Sequence, residues 1–175
     1  MIAAGPETAL ARVRPWLDRI GKSVFAMGNT AGRAQLMKLV NYSISAANLA
    51  TVFEALVLGA KSGLDPDLMA RVINVSTGRN SATLHKVPRA VLPGTFDCGM
   101  KLSTMYKDLT LGLNEAHALR VPMWTHETMA QLWRIGMRQG IGEQDFTAPI
   151  KLLEGWASGG LGQSGGTHPA RLNLL

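Results

Sequence analysis

The sequence predicts a mainly helical protein, a bundle built around one long central helix. Hydrophobic residues make up 46% of its 175 residues, which is enough to form a packed core. Aromatic residues account for only 6%, while the chain holds nine methionines, a balance typical of helices packed on helices. The strongest observation is the stretch from Arg33 to Lys61, which contains no proline and a single glycine, Gly59.

The first segment is predicted to form an amphipathic helix followed by a short strand. Apolar residues recur at helical spacing in residues 6–20, beginning with Leu10, and Gly21 is expected to end the helix. The apolar run at residues 23–27 is typical of a β-strand. Because one strand cannot form a sheet alone, its neighbours are expected to be absent from the chain or supplied by a partner.

Residues 31–62 form the dominant predicted helix. Apolar side chains occupy nearly every face of its middle part, and a helix that is apolar all round is covered by its neighbours. Such a helix spans about 45 Å at about 1.5 Å per residue, more than the diameter of a small domain. Part of it is therefore expected to pack against a second subunit, and the chain is predicted to form a homo-oligomer, a dimer, through this helix.

Further helices follow, separated by proline, glycine or polar residues. Asp65 is predicted to cap a helix that runs from Pro66 to about Asn74. Ser81 is predicted to cap the next helix, which is expected to break near Pro88. The remaining helices are predicted at residues 101–119, 123–138 and 147–154.

The composition changes near the end of the chain. Residues 156–175 are rich in glycine and serine and are predicted to form a flexible tail. We accordingly divide the chain into a short N-terminal piece at residues 1–30, a helical domain at residues 31–155 and this tail.

Charge and cysteine content limit the classes of function. The net charge is +6, from 18 Lys and Arg against 12 Asp and Glu, which allows an anionic cofactor or an acidic substrate but selects neither. The single cysteine, Cys98, excludes an intrachain disulfide and favours a reducing compartment, so a cytoplasmic location is predicted. The apolar stretch at residues 44–60 is interrupted by Asn48, Thr51 and Glu54, and no membrane association is predicted.

Several kinds of site find little support. The four histidines show no pair at metal-ligand spacing, so no metal site is predicted. No G-x-S-x-G pattern is present, which argues against a serine hydrolase. Arg79, Lys86, Arg89 and Lys101 form a mildly basic region that is most simply a solvated face. Nucleic-acid binding would need denser charge with exposed aromatic residues, and no nucleic-acid partner is predicted.

One face of the long helix carries the candidate chemistry. Lys38, Asn41, Tyr42 and Ser45 are separated by helical steps, so their side chains share a face. Burying such a polar stripe is costly unless each group has a partner. A lysine held beside apolar surface can serve as a general acid or base. The alternative is that Lys38 lies near the helix start and extends its ammonium group into water.

The run from Gly32 to Asn41 resembles the catalytic-helix motif of the β-hydroxyacid dehydrogenase family, which includes 3-hydroxyisobutyrate dehydrogenase and tartronate semialdehyde reductase. Other motifs agree in the same order, and the resemblance covers residues 6–154. These motifs are Glu54-Ala55-Leu56, Gly63-Leu64-Asp65-Pro66, Ser76-Thr77-Gly78-Arg79-Asn80-Ser81, Phe96-Asp97, Lys107-Asp108-Leu109, Val121-Pro122 and Asp145-Phe146-Thr147-Ala148.

The resemblance implies a two-part enzyme. In this family an N-terminal Rossmann domain binds NAD or NADP, and an all-helical C-terminal domain completes the site and drives oligomerisation. Residues 1–30 then correspond to the last helix and strand of a Rossmann domain, and residues 31–155 to the helical substrate and oligomerisation domain. The implied reaction is hydride transfer between a small 3-hydroxy acid and the nicotinamide.

The resemblance also implies roles for single residues. Lys38 matches the general acid/base that acts on the substrate hydroxyl, and Asn41 matches an asparagine of the substrate site. The family often has a second amide where this chain has Tyr42, which we assign to substrate binding with a changed side chain. Lys107 matches a lysine that approaches the cofactor, although without the resemblance it would be interpreted as a solvated helix residue.

A dinucleotide-binding turn is missing from the sequence. No G-x-G-x-x-G follows a strand, so the phosphate-binding loop and helix N-terminus of a Rossmann domain are not found. We therefore expect the chain alone not to bind a dinucleotide productively and to be inactive without a cofactor-binding half. The alternative is a non-catalytic helical oligomerisation module, which would form a stable dimer with no affinity for nucleotides.

Overall fold

The computed structural model describes residues 1–157, and these are mainly helical, as the sequence predicts. Of the predicted flexible tail, only the first two residues fall in the described part. Trp156, the first residue of the predicted tail, is also the last residue of a helix. The remainder of that prediction, residues 158–175, lies outside the described residues.

Two short strands and one helix form the N-terminal piece. Strand β1 (Ile2–Ala3) pairs in parallel with β2 (Phe25–Ala26), and helix α1 (Glu7–Ile20) connects them. The amide of Gly21 donates to the carbonyl of Leu17 and ends α1. The expectation that the strand's neighbours come from elsewhere is therefore wrong for one of them. A two-residue strand is too short to show a period, so β1 could not be predicted from the sequence.

Helix α2 (Arg33–Lys61) is 29 residues long, and the later helices pack around it. Leu49, Phe53 and Leu56 are fully buried along it. By length and hydropathy α2 could also cross a membrane, but the core helix of a water-soluble protein passes the same test. Because α2 contacts every helix that follows it, we interpret it as a core helix.

Helix α3 (Pro66–Asn74) begins as predicted, with the Asp65 carboxylate accepting a hydrogen bond from the amide of Asp67 at 3.0 Å. Between α2 and α3, Gly63 adopts a φ of +87°, a left-handed conformation that glycine enters without strain. The tight turn lets α3 fold back onto α2.

The next element is a π-helical segment at Ala82–Val91, which continues past Pro88 where a break was predicted. Its bonds link residues five apart, as in the donation from the amide of Leu92 to the carbonyl of Val87 at 3.0 Å. The predicted cap at Ser81 is also wrong. The cap is Asn80, whose Oδ1 accepts from the amides of Ala82 and Thr83 at 2.8 and 3.3 Å.

Three helices complete the described chain: α4 (Leu102–Ala118), α5 (Trp124–Arg138) and α6 (Ile150–Trp156). Helices α4 and α5 pack against each other and against α2. Helix α6 starts three residues later than predicted because Thr147 belongs to a turn. The Asp145 carboxylate holds that turn, accepting from the amide and the hydroxyl of Thr147 at 3.0 and 2.6 Å.

Candidate functional site

Lys38, on the second turn of α2, is held by an ion pair inside the fold. Its Nζ donates to Oδ2 of Asp108 on α4 at 2.8 Å. The side chain of Asp108 is 1% exposed and that of Lys38 is 32% exposed. A carboxylate this deeply buried is stable only with a compensating charge, so the pair fixes both the position and the direction of the lysine. Lys38 is not simply extended into water.

Asp108 is the residue of this site to which the sequence reasoning gave no role. It lies on α4 between Met105 and Leu109, which are both buried, so it shares the apolar stripe of that helix. An acidic residue on an apolar stripe is itself the signal that could have identified it, because such a group needs a partner. Its second oxygen, Oδ1, lies 3.7 Å from Nζ of Lys107.

The other predicted residues surround this pair to different degrees. Tyr42 is half-buried, and its ring centroid lies 5.0 Å from Nζ of Lys38, a cation–π distance. Lys107 is adjacent to the pair but has a side chain that is 64% exposed. Asn41 is exposed on α2, and its side chain makes no hydrogen bond within residues 1–157. The fold thus brings Lys38, Tyr42 and Lys107 together and leaves Asn41 facing outwards.

A second lysine reaches the same face of α2 from the π-helical segment. Nζ of Lys86 donates to the hydroxyls of Ser45 and Ser81 at 3.2 and 3.0 Å. Burial lowers the pKa of Lys86, and the neighbouring Cys98 acts in the opposite direction. The sequence reasoning placed Lys86 in a solvated basic region, whereas the structure half-buries it.

The charges of this face favour an anion. Lys38, Lys86 and Lys107 contribute three ammonium groups, and Asp108 contributes the carboxylate with which two of them pair. The excess positive charge fits a carboxylate substrate or a phosphate-bearing cofactor. Among the described residues no group of three or more His, Cys, Asp or Glu side chains could hold a metal ion.

An apolar groove follows the opposite face of α2. It consists of three adjoining concavities of about 260, 340 and 400 Å³, formed by α2 with α5 and α6. Ile44 and Leu58 on its floor are 60% and 70% exposed, and Trp124 and Trp156 on its walls are 78% and 57% exposed. We call this surface the α2 groove. Large exposed apolar patches of this kind mark interaction sites.

Comparison with known proteins identifies relatives of the chain. A family model described as "NAD-binding of NADP-dependent 3-hydroxyisobutyrate dehydrogenase" matches residues 32–153. The 2-(hydroxymethyl)glutarate dehydrogenase of Eubacterium barkeri is 32% identical over 154 residues, which are 88% of this chain and 51% of that protein. The mitochondrial 3-hydroxyisobutyrate dehydrogenase of Rattus norvegicus is 30% identical, over 87% of this chain and 47% of its own.

Solved structures show the same likeness. A 3-hydroxyisobutyrate dehydrogenase from Salmonella typhimurium superposes with a TM-score of 0.78 at 28% identity, covering 85% of this chain and 52% of that one. The Mycobacterium tuberculosis 3-hydroxyisobutyrate dehydrogenase with L-serine gives a TM-score of 0.75 at 27% identity, covering 86% and 53%. The chain thus spans about half the length of the relatives it matches.

Proposed function

The chain belongs to the 3-hydroxyisobutyrate dehydrogenase family, and from that premise we propose that it supplies the proton-transfer residues of a dehydrogenase for small 3-hydroxy acids. The complete enzymes of this family use NAD or NADP. The observation that carries the proposal is the ion pair between Lys38 and the buried Asp108, at 2.8 Å. The relatives are named for small hydroxy acids, among them 3-hydroxyisobutyrate and L-threonate.

In the proposed reaction Lys38 handles the proton of the substrate hydroxyl. Oxidation of the alcohol requires that its O–H proton leave for a base while hydride leaves the carbon, and bound NAD or NADP would supply the hydride acceptor. A neutral Lys38 would accept that proton at Nζ and return it in the reverse direction. Asp108 positions the ammonium group that results and stabilises its charge.

The residues around the pair fit an anionic cofactor and a polar substrate. Oδ1 of Asp108 is buried with no hydrogen-bond partner in the described chain, and the exposed Lys107 lies beside it. We assign Lys107 to the cofactor, and the description of the matching family model as NAD-binding supports this assignment. We assign Asn41 and Tyr42 to the substrate because they border Lys38 on α2. The cofactor-binding half itself is proposed to lie outside residues 1–157.

The test is hydride transfer by the chain fused behind the cofactor-binding half of the Eubacterium barkeri relative. We expect turnover in the fusion, none in the chain alone, and a fall in kcat of about 100-fold or more for Lys38→Ala, since a positioned acid/base contributes about 10²–10⁴. Lys22→Ala removes a lysine from an exposed position outside the site and should leave kcat unchanged. Equal rates for the fusion and its Lys38→Ala variant would contradict the proposal.

We also propose that the chain forms a homodimer through the α2 groove. The exposed stripe of α2 repeats at alternating steps of three and four residues, the spacing that lets two helices pack along a seam. Its members are the exposed Met37, Val40, Ile44, Thr51, Glu54, Leu58 and Lys61 and the half-buried Ala47. An antiparallel copy centred between Ala47 and Thr51 would place the small residues at the crossing and Val40 opposite Leu58.

A non-catalytic oligomerisation module is the alternative function. It shares the α2 groove with the dehydrogenase proposal but gives no role to Lys38. The ion pair between that lysine and the buried Asp108 favours the dehydrogenase proposal. An internal charge pair on the opposite face of α2 would contribute nothing to an interface in the α2 groove. The predicted cytoplasmic location stays a prediction, since relatives named as mitochondrial are among the matches.

A further inference from the structure

The hydrogen bonds of Lys86 distinguish it from the other lysines of residues 1–157. Its Nζ donates to the hydroxyl of Ser81 at 3.0 Å and to that of Ser45 at 3.2 Å. Lys86 and Lys38 are half-buried, and the other lysines in this part of the chain are exposed. Lys38 has the carboxylate of Asp108 beside it, whereas Lys86 forms no ion pair with a described residue. Lys86 is thus a partly desolvated amine whose hydrogen-bond partners are neutral.

The π-helical segment creates this arrangement. Ser81 directly precedes the segment, and Lys86 lies five residues further along the chain. The hydrogen bonds of a π-helix link residues five apart, so these two side chains lie one above the other. In an α-helix, with 3.6 residues per turn, a step of five residues would turn them to different faces. Such π-helical turns are rare and occur frequently at functional sites. Ser45 approaches the same ammonium group from α2, across 41 residues of sequence.

The surroundings of Lys86 favour its neutral amine. Burial lowers the pKa of Lys86, because a partly desolvated ammonium group is less stable than one in water, and the nearby Cys98 opposes this effect. The pKa of the Cys98 thiol is itself raised, chiefly by burial, so the thiol supplies no full negative charge near neutral pH. A lysine amine activated by desolvation is the nucleophile that forms Schiff bases with carbonyl compounds.

We infer that Lys86, with the hydroxyls of Ser45 and Ser81, forms a reversible covalent binding site for small aldehydes. The lone pair of Nζ adds to the carbonyl carbon, and the carbonyl oxygen takes a proton that the nitrogen loses, which gives a carbinolamine. The nitrogen then loses its second proton to the hydroxyl group, which leaves as water while the C=N bond forms. No oxidant or reductant is consumed. Because serine hydroxyls both donate and accept, they carry the proton between nitrogen and oxygen.

The proposed function supplies a source of the aldehyde, and this part of the inference rests on it. Oxidation of a 3-hydroxy acid whose hydroxyl lies on a terminal carbon yields an aldehyde. The chemistry at Lys86 does not depend on where the aldehyde comes from, so it can be tested on the chain itself.

Reductive trapping with propanal tests the site without cofactor or turnover. Sodium cyanoborohydride converts an imine into a stable secondary amine, and peptide mass spectrometry then locates the added propyl group. At about pH 7 we expect Lys86 to be labelled about tenfold or more faster than the exposed Lys22 and Lys61, since each unit by which a pKa falls makes the neutral amine about tenfold more abundant. In concentrated urea, which unfolds the chain, the three rates should become similar.

Serine variants test the two hydroxyls through the pH profile of labelling. The midpoint of the profile reports the pKa of Lys86, and its plateau at high pH reports the reactivity of the neutral amine. Replacing Ser45 and Ser81 together by alanine should lower the plateau several-fold, because the proton relay is lost. Ser43→Ala is the matched control, since the half-buried hydroxyl of Ser43 donates to the carbonyl of Leu39, and both midpoint and plateau should stay unchanged.

Two results would overturn the inference. One is labelling of Lys86 in the folded chain at the rate of the exposed lysines, which would make it an ordinary amine. The other is a plateau that the double serine variant leaves unchanged, which would remove the hydroxyls from the site. Failure of the proposed function would be seen separately, as an unimpaired Lys38→Ala fusion.

Discussion

Single buried polar residues decide where this chain can carry chemistry and where it is sensitive to pH. Asp108 and His126 are both buried, at 1% and 4% exposure, although they differ in what surrounds them. Asp108 has a lysine partner that keeps a charge inside the fold. For His126, burial lowers the pKa and outweighs the opposite effects of the Leu109 carbonyl and Glu127. The fold therefore favours the neutral imidazole.

The stability of the protein should fall in mild acid because of His126. Its pKa in the folded state lies below the ordinary value of 6.5, so protonation favours the unfolded chain. The contribution is complete above pH 6.5 and is lost as the pH falls through the lowered folded-state value. We expect urea midpoints to decrease between about pH 7.5 and about pH 5.5, because the free energy of unfolding falls by about 1.4 kcal/mol for each unit by which the folded-state pKa lies below the unfolded one.

Substitution isolates that effect. His126→Gln should flatten the pH dependence in this interval, whereas His85→Gln, at an exposed position, should leave it intact. Identical slopes in the wild type and in His126→Gln would assign the acid sensitivity to other groups.

At the scale of elements, local hydrogen bonds determine where helices begin and how they continue. The π-helical segment follows a turn that Asn80 organises: its side-chain oxygen caps two amides and its Nδ2 donates to the carbonyl of Gly78 at 2.8 Å. Ser81, next to it, instead receives the hydrogen bond of Lys86. Both residues are good caps by type, and only the backbone conformation of the turn selects Asn80.

Replacing Asn80 by alanine should therefore lower the free energy of unfolding more than replacing Ser81, which caps nothing. Asn80→Ala should lower the free energy of unfolding by about 1–2 kcal/mol, the usual cost of losing a side-chain cap. Ser81→Ala should cost less than half of that. Chemical denaturation of the two variants side by side makes the comparison, and an equal or larger loss for Ser81→Ala would mean that the cap has been assigned to the wrong residue.

At the scale of the whole molecule, the described residues 1–157 leave two apolar surfaces uncovered. Helix α1 buries none of its residues, and Val13 and Ile20 on it are 43% and 76% exposed. The α2 groove is the second surface. Exposed apolar area on this scale is costly in water, so both surfaces are suited to contact with other protein. For α1 we propose the cofactor-binding half as that protein, and for the α2 groove a second copy of the chain.

Charges placed in the α2 groove should separate the proposed dimer. Ile44→Glu and Leu58→Glu introduce carboxylates on its exposed floor, and Ile44→Glu would also face Glu54 of the other copy. We expect light scattering to report a dimer for the wild type and a monomer for each variant. Val75→Glu changes an apolar residue that is 88% exposed outside the groove and should remain dimeric. A monomeric wild type, or dimers throughout, would exclude this interface.

Sequence reasoning found those features that rest on local pattern. The mainly helical class followed from periodicity, α2 from a long stretch without helix breakers, and the Asp65 cap from a residue preference that acts within three residues. Lys38 and Tyr42 could be grouped because a helix has a fixed repeat. The roles given to Lys38, Asn41, Tyr42 and Lys107 remain proposals, as do the domain boundaries at residues 30 and 155.

Contacts between distant parts of the chain were decided by the tertiary structure. Asp108 meets Lys38 across 70 residues, and Lys86 meets Ser45 across 41, and no local pattern specifies such pairs. The short strand β1 exists only because β2 pairs with it. Helical periodicity is a property of neighbouring residues and is readable from sequence. The burial that turns a lysine into part of a site depends on which helices pack together, and packing is set by the whole fold.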